Sequence, residues 1–376
     1  MITNIAKKYI TKYNLIEPFY IVDYKKLDNI ISQWKQYLPN ITPFYAIKCN
    51  PNRNILKYMI KKDVRFDCAS KKEIETIIKL FKNKDYEDKI IYSHPVKNIK
   101  NLKFAYKNNI THTVFDTFTE IDKIKEYASS IKCLIRLQID NPDARIQLGT
   151  KFGVNRDEYK ELLDYAKSVN LNVVGVAFHI GSANSNPYIY HNAFDFSNDV
   201  IYYAKSLGFN IELLDIGGGF TTTNFRDSAK IINVRSDEFI RQNINVIAEP
   251  GRLYAETAFT FFTPVIGYRY RNCVHNYYIS DSLYGSFNCI NNDDFKPTFE
   301  VLKNPLNKQE FDNRLLDSYI FFETCDSIDK YGEVKLPKLE INDFLMIENF
   351  GSYTLSGSTN FNGLNMTHPK IYYINK

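Results

Sequence analysis

Between Phe19 and Arg252 the chain repeats a single pattern, a short β-branched or aromatic run followed by an amphipathic stretch long enough for a helix. The runs that read as strands cover residues 44–48, 64–67, 90–94, 113–116, 134–139, 173–179, 211–215 and 246–249. Among the stretches between them, 71–84 places Ile74, Ile77, Ile78 and Phe81 on one helical face, and 118–131 and 157–169 read the same way. Eight strands joined by helix-length connections are what a closed parallel (β/α)8 barrel requires, although a doubly wound open sheet alternates similarly.

The residues that end the strands favour the barrel. Lys48, Asp67, His94, His179, Gly217, Gly218, Gly219, Glu249 and Gly251 stand at or just past a strand C-terminus, with Arg136 in mid-strand. In a barrel those ends converge on one face, where such folds place their active sites. Beyond Arg252 the alternation stops. Aromatic-rich runs at 259–264, 276–280, 318–323 and 344–347, separated by turn residues, predict an antiparallel β-domain. The expected division is a barrel over residues 20–255 and a β-domain over 256–376 that also takes residues 1–19. The polar segment 304–314 reads as a mobile loop.

Composition narrows what such a chain can do. With 44% hydrophobic and 24% charged residues it can bury a core, and at 376 residues two domains fit. The formal charge of +5 is spread with Lys and Asp/Glu interleaved, and no basic block tracks a phosphate backbone, so nucleic acid is not an expected partner. No apolar stretch approaches the roughly 18 residues of a membrane span, and Lys7, Lys8 and Lys12 are followed by no apolar core of the secretory kind. Cys49, Cys68, Cys133, Cys273, Cys289 and Cys325 show no paired spacing, and the six histidines no cluster. Reduced thiols, a cytoplasmic compartment and no metal site are the expectation.

Four segments carry chemistry. In Phe44-Tyr45-Ala46-Ile47-Lys48-Cys49-Asn50 a lysine follows an apolar strand; it is either a snorkelling strand-end residue or an amine that a desolvated barrel mouth readies to condense with an aldehyde. Leu214-Asp215-Ile216-Gly217-Gly218-Gly219-Phe220 sets three glycines after a buried strand, where bare backbone N–H groups can approach a single phosphate. The spacing is not that of a dinucleotide turn, and a plain strand-to-helix turn is the other reading. In Ala248-Glu249-Pro250-Gly251-Arg252, Glu249 can hold a protonated pyridine nitrogen or pair with Arg252. His179 can stack on an aromatic ring or fill the core.

Taken in order on the first, sixth, seventh and eighth strands, these elements resemble the eukaryotic-type ornithine decarboxylase family, a branch of the pyridoxal 5'-phosphate (PLP) enzymes with the alanine-racemase-like fold. The resemblance covers nearly the whole chain. It runs through Tyr45-Ala46-Ile47-Lys48-Cys49-Asn50, Phe66-Asp67-Cys68-Ala69-Ser70, Lys151-Phe152-Gly153, His179-Ile180-Gly181-Ser182 and the triple glycine. It continues through Glu249-Pro250-Gly251-Arg252, Tyr284-Gly285-Ser286-Phe287-Asn288, Thr324-Cys325-Asp326, Gly351-Ser352-Tyr353-Thr354 and Phe361-Asn362-Gly363.

The resemblance implies PLP as cofactor and decarboxylation of a basic amino acid, ornithine first, giving putrescine for polyamine biosynthesis. Lys48 would hold PLP covalently, and Ser182, Gly217, Gly218, Gly219, Gly251, Arg252 and Tyr353 would bind its phosphate. His179 would stack on the ring, while Glu249 would keep the pyridine nitrogen protonated, a cationic ring being the better electron sink. Asp67 and Arg136 would stand around the lysine and cofactor, with Glu73 orienting part of it. From the β-domain, Cys325 and Asp326 would reach the site of the other subunit of a homodimer, Cys325 to protonate Cα and Asp326 to bind the distal amine. Lys151 and Asp329 would form an inter-subunit ion pair, and Phe361 an apolar wall where the carboxylate leaves.

Asp293 aligns with the acidic residue that pairs with the distal ammonium in ornithine-specific relatives. Two departures stand out: Asn292 where relatives carry an aromatic residue, and Ser327 where they carry glycine. The first leaves room for arginine or lysine as substrate. A non-catalytic regulatory homologue would be expected to lose the lysine or the phosphate glycines, and both are present. The short stretch after Phe361-Asn362-Gly363 implies no long degradation-signalling tail.

Overall fold

The computed structural model describes residues 2–82, 85–307 and 313–375. They divide into two compact units, Ile31–Tyr254 and a second that joins Met1–Ile30 to Ala255–Lys376. In the first unit eight parallel strands close on themselves: Ile41–Ala46, Arg65–Cys68, Ile90–Tyr92, His112–Phe115, Lys132–Leu137, Val173–Phe178, Leu213–Asp215 and Asn245–Ala248. Each predicted strand is present to within a few residues, and the pairing of the last with the first excludes the open sheet. The barrel is packed through its centre. Phe44, Ile91, Val114, Leu134, Ala177, Leu213 and Ile247 form one buried cluster drawn from seven strands, and burying each large aliphatic or aromatic side chain contributes roughly 1.5–3 kcal/mol.

The helices outside begin where the sequence offers a cap. Ser70 Oγ accepts the Glu73 N–H at 3.3 Å to start Lys71–Leu80, and Thr117 Oγ1 accepts the Glu120 N–H at 3.2 Å to start Phe118–Tyr127. Both stop short of the predicted ends. Lys82 already turns left-handed at φ 56°, residues 83 and 84 lie outside the described residues, and Ala128 leaves the helical region.

In the second unit eight strands form one mixed, mostly antiparallel sheet, with Phe259–Arg271 at its centre pairing on one side with Val274–Ile279 and on the other with Phe344–Ile347. The predicted boundary needs correction here. Phe19–Asp23, most of which the sequence assigned to the barrel, pairs antiparallel with Phe259–Arg271 and parallel with Lys370–Ile374. The helix Ile2–Tyr13 was not anticipated either. Its apolar contacts, Ala6 and Ile10, stand four residues apart, so they share a face, and they pack into a cluster with Phe19, Phe262, Phe344 and Met346. Its three lysines dominate the linear reading and conceal that face. Of the segment read as a mobile loop, residues 308–312 lie outside the described residues, and Asn304 is buried with its N–H on Asp343 Oδ1 at 3.0 Å. Among the described residues no helix is long and apolar enough to cross a membrane.

One buried charge ties the barrel to its outer layer. The Lys97 side chain is fully buried; its Nζ donates to His94 O at 3.0 Å and Val114 O at 2.7 Å and meets Glu120 at 2.8 Å. Glu120 also pairs with Lys123. Burial pulls the Lys97 pKa down, and Glu120 opposes it. Glu120→Ala should therefore strand an ammonium in the interior, at a cost of about 3–5 kcal/mol. A lower denaturant midpoint checks this; Lys123→Ala, at the more exposed end of the network, should move it far less.

Candidate active site

Lys48 stands on a 3-10 turn, Ile47–Cys49, immediately after the first barrel strand, rather than on the strand itself. The turn brings its Nζ to 2.9 Å from Asp67 Oδ2 at the end of the second strand. Asp67 is almost wholly buried, while the Lys48 side chain keeps 42% exposure. The other carboxylate oxygen, Asp67 Oδ1, is buried and has no hydrogen-bond partner among the described residues. A buried acceptor left unmet is costly. A donor from a bound molecule belongs there.

Across the mouth, Glu249 follows the eighth strand and is buried. The Ser93 hydroxyl donates to its Oε1, and Asp215, ending the seventh strand, lies near enough for the two carboxyl groups to act on each other's pKa. Burial raises the Asp215 pKa well above the usual carboxylate range, with the Glu249 charge adding to it. Burial and the Asp67 charge raise Glu249 as well, with Lys48 opposing. Asp215 Oδ1 accepts the Gly217 N–H at 2.9 Å. Three carboxyl groups near one lysine leave this wall in want of a cation.

His179 faces the same space as a neutral ring. Its Nδ1 accepts the Gly181 N–H at 3.0 Å, so that nitrogen carries no proton. Burial, with Arg136 and Lys48 nearby, holds its pKa well below the ordinary value. The glycine turn passes close against it. A Cβ on Gly218 would stand 2.8 Å from His179 Nε2 and 2.9 Å from Glu249 O, and one on Gly217, at φ +61°, would stand 2.2 Å from Phe178 O. Arg252 is buried and its Nη2 donates to Ser182 Oγ at 3.1 Å. Gly251, just before it, accepts the Tyr254 N–H through its carbonyl.

Arg136 lies with its guanidinium 5.2 Å over the Phe152 ring, and Gly153 fixes that loop by donating its N–H to Asp116 Oδ2 at 2.8 Å. Lys151 is exposed on the same loop. Glu73 Oε2 accepts the Ala69 N–H at 2.6 Å, beside the second strand's end, and burial raises its pKa. His94, noted in the sequence at the third strand's end, packs edge-on to Phe152 and accepts the Val96 N–H. Its neighbour Ser93 is the residue that meets Glu249.

The remaining predicted residues lie on the second unit. Cys325 is exposed, and its N–H is held by Asn362 Oδ1 at 3.0 Å. Asp326 Oδ2 accepts the Tyr284 hydroxyl at 2.5 Å, which, with the Ile328 N–H, keeps its pKa below the usual range. Tyr284 also stacks on Phe361, with centroids 4.1 Å apart. Asp329 is buried and ties the loop together, accepting Ser282 Oγ at 2.9 Å, the Leu283 N–H at 2.8 Å and the Thr324 N–H at 3.1 Å. Asp293 is buried at the end of the short helix Asn288–Asp293, and Tyr353 is held left-handed at φ 55°.

A family model described as the pyridoxal binding domain of pyridoxal-dependent decarboxylases matches residues 24–256. The chain belongs to that family. It is 36% identical over 358 residues to the chloroplastic ornithine decarboxylase of Nicotiana glutinosa, covering 93% of this chain and 82% of that protein. Among solved structures, the Paramecium bursaria Chlorella virus arginine decarboxylase bound to agmatine superposes with a TM-score of 0.92 at 34% identity, over 99% of this chain and 100% of that one. The lysine/ornithine decarboxylase of Vibrio vulnificus complexed with putrescine gives 0.87 at 25% identity, over 99% and 98%.

The protein is thus a PLP-dependent amino-acid decarboxylase of alanine-racemase-like fold. Its barrel mouth fits the cofactor: an amine, an unmet buried acceptor, a carboxylate wall that wants a cation, a flat neutral ring, and a glycine turn that a single Cβ would block. Among the described residues no group of three His, Cys, Asp or Glu could hold a metal ion. Ser93 and Asp215 escaped the sequence reading of this site. Both satisfy the rule that found Asp67, a polar residue at a barrel strand's end, and Asp215 stands inside a quoted motif. Tyr284 likewise lay inside a motif, with nothing in the linear sequence to link it to Asp326. Gly218→Ala should fold and yet lower PLP affinity by at least ~10-fold, since the added methyl crowds both the His179 ring and the Glu249 carbonyl. Titration of the cofactor-free protein with PLP, followed by absorbance, measures it.

Proposed function

We propose that the protein converts L-ornithine to putrescine and CO2 as a homodimer with shared active sites, supplying polyamine synthesis. Asp293 carries the substrate reading. It is a buried carboxylate in the segment after Phe287-Asn288-Cys289, where ornithine-specific relatives hold the distal ammonium. The ornithine decarboxylase named among the similar proteins supports it. Asp326 supplies a second anion, kept ionised by the Tyr284 hydroxyl, and two carboxylates around one ammonium form charge-assisted hydrogen bonds.

The roles are those the family resemblance implies for these residues. Lys48 Nζ would hold PLP covalently, and Asp67, 2.9 Å away, fixes the position of that lysine amine. Ser182, Gly217, Gly218, Gly219, Gly251, Arg252 and Tyr353 would hold the phosphate. Glu249, held by Ser93 and near Asp215, would bond the ring nitrogen, His179 would cover a ring face, and Arg136 would stand near them. When bound, PLP supplies a cationic ring that accepts the electron pair released with CO2. Phe361 walls the departing carboxylate with apolar surface, favouring the neutral product. Cys325 of the partner subunit delivers the proton from Sγ to Cα. Lys151 and Asp329 belong to the dimer contact, Asp329 being held in place by its own loop.

Arginine is the second reading, favoured by Asn292 in place of an aromatic residue and by the likeness to a viral arginine decarboxylase. CO2 release from ornithine, arginine and lysine, measured in parallel with PLP present, separates the two: ornithine should be turned over at least ~10-fold faster than either. A preference for arginine or lysine would overturn the substrate while leaving the decarboxylase. Lys48→Ala and Cys325→Ala should each lose most activity when alone. Mixed, with subunit exchange verified, they should recover up to about a quarter of the parent rate, because only hybrid dimers hold one intact site of two. No recovery rejects shared sites.

A further inference from the structure

Three asparagines with no part in the chemistry above converge behind Ser182 and the glycine turn. Asn141 follows the fifth barrel strand, Asn184 ends the short strand Ser182–Asn184, and Asn224 follows the turn itself. All are buried, with 5%, 2% and 7% exposure. Asn141 Nδ2 donates to Ile180 O at 2.7 Å and to Asn184 Oδ1 at 2.9 Å. Asn224 Nδ2 donates to Asn184 O at 2.7 Å and to Gly219 O at 2.9 Å, while its Oδ1 accepts the Thr221 N–H at 2.8 Å. Both protons of one amide thus bridge the backbone carrying Ser182 to the backbone carrying the glycines. Behind them Ser182–Asn184 pairs antiparallel with Ala144–Ile146, so closely that a Cβ on Gly181 would stand 2.4 Å from Ala144 Cβ.

We propose that Asn224 is a positioning residue for the cofactor's phosphate. It fixes the spacing between Ser182 and the glycine turn before the phosphate arrives, and Asn141 and Asn184 hold the Ser182 side in place. An uncharged amide offers two N–H donors and an acceptor on one planar group. Aspartate would turn a charge toward two carbonyls, and alanine would leave those carbonyls and the Thr221 N–H unmet. Donors held ready need no ordering when the ligand binds, so the clamp acts on affinity. The inference rests on the phosphate placement proposed above.

The test compares PLP affinity in the full chain for the parent, Ser182→Ala, Asn224→Ala and the double variant, alongside kcat at saturating PLP and amide hydrogen exchange of the cofactor-free protein. Asn224→Ala should weaken PLP binding by ~10-fold or more, a larger change than in kcat. Exchange at residues 182–184 and 217–219 should quicken. Ser182→Ala should cost less in the Asn224→Ala background than in the parent, because the clamp acts through Ser182. Affinity within twofold of the parent, a greater loss in kcat than in affinity, or strict additivity overturns the clamp. Should Asn224→Ala fail to fold, Asn141→Ala removes only the outer bonds and should give the same pattern with a smaller loss. If Ser182→Ala leaves PLP affinity unchanged, the phosphate placement fails and the clamp falls with it; a loss for Ser182→Ala with none for the asparagines rejects the clamp alone.

Discussion

Closure of the barrel is the constraint on which the site depends. The eighth strand pairs with the first, Val246 beside Ile41 and Ala248 beside Pro43, and the Ala46 N–H reaches Pro250 O at 3.2 Å. That seam brings residues from the two ends of the barrel segment, Lys48 and Glu249, to one mouth. An open sheet would leave its first and last strands at edges determined by strand order, and the lysine and the glutamate would not share a wall. The inner cluster from Phe44 to Ile247 keeps the ring closed from within, so packing deep in the barrel sets geometry at its rim.

At that rim the arrangement is governed by charge. Asp67, Asp215 and Glu249 are buried close together, which costs free energy unless protons or cations intervene. The protein resolves part of this itself: Lys48 pairs with Asp67, and burial together with the Glu249 charge raises the Asp215 pKa, favouring its neutral form. What is left is the buried carboxyl group of Glu249 and one unmet oxygen on Asp67. A fold that leaves such groups in place without a ligand is built for one. The β-domain follows a different logic. Its loop around Cys325 is held by the buried Asp329 and by Asn362, so an exposed thiol stands on a well-determined backbone.

The barrel was legible in the sequence because its signal is local and repeated: an apolar run, a polar residue at its end, a helix-length connection. Lys48, Asp67, the three glycines and Glu249 could be picked out for the same reason. Ser93 meets the same strand-end rule, but nothing local ties it to the site, since its partner Glu249 is 156 residues away and only the closed ring brings them together. Asn224 was equally silent; an asparagine after a threonine run reads as a turn, and its role arises from carbonyls on other segments. The strand Phe19–Asp23 was misassigned because it has the composition of a barrel strand, and only its pairing with Phe259–Arg271 and Lys370–Ile374 shows where it belongs.

The glycine turn carries a consequence for how this chain can vary. Some of the groups that would strike a new Cβ at Gly217 and Gly218 are backbone carbonyls, of Phe178 and Glu249 respectively, rather than side chains. A clash with a side chain can be relieved by a second substitution elsewhere, but a carbonyl is supplied by every residue type. No partner mutation can open room for a methyl group there without moving a barrel strand. Sequence can therefore drift widely over the helices and the outer sheet while this turn has no neutral neighbours, making it a fixed point in the mutational landscape of the fold.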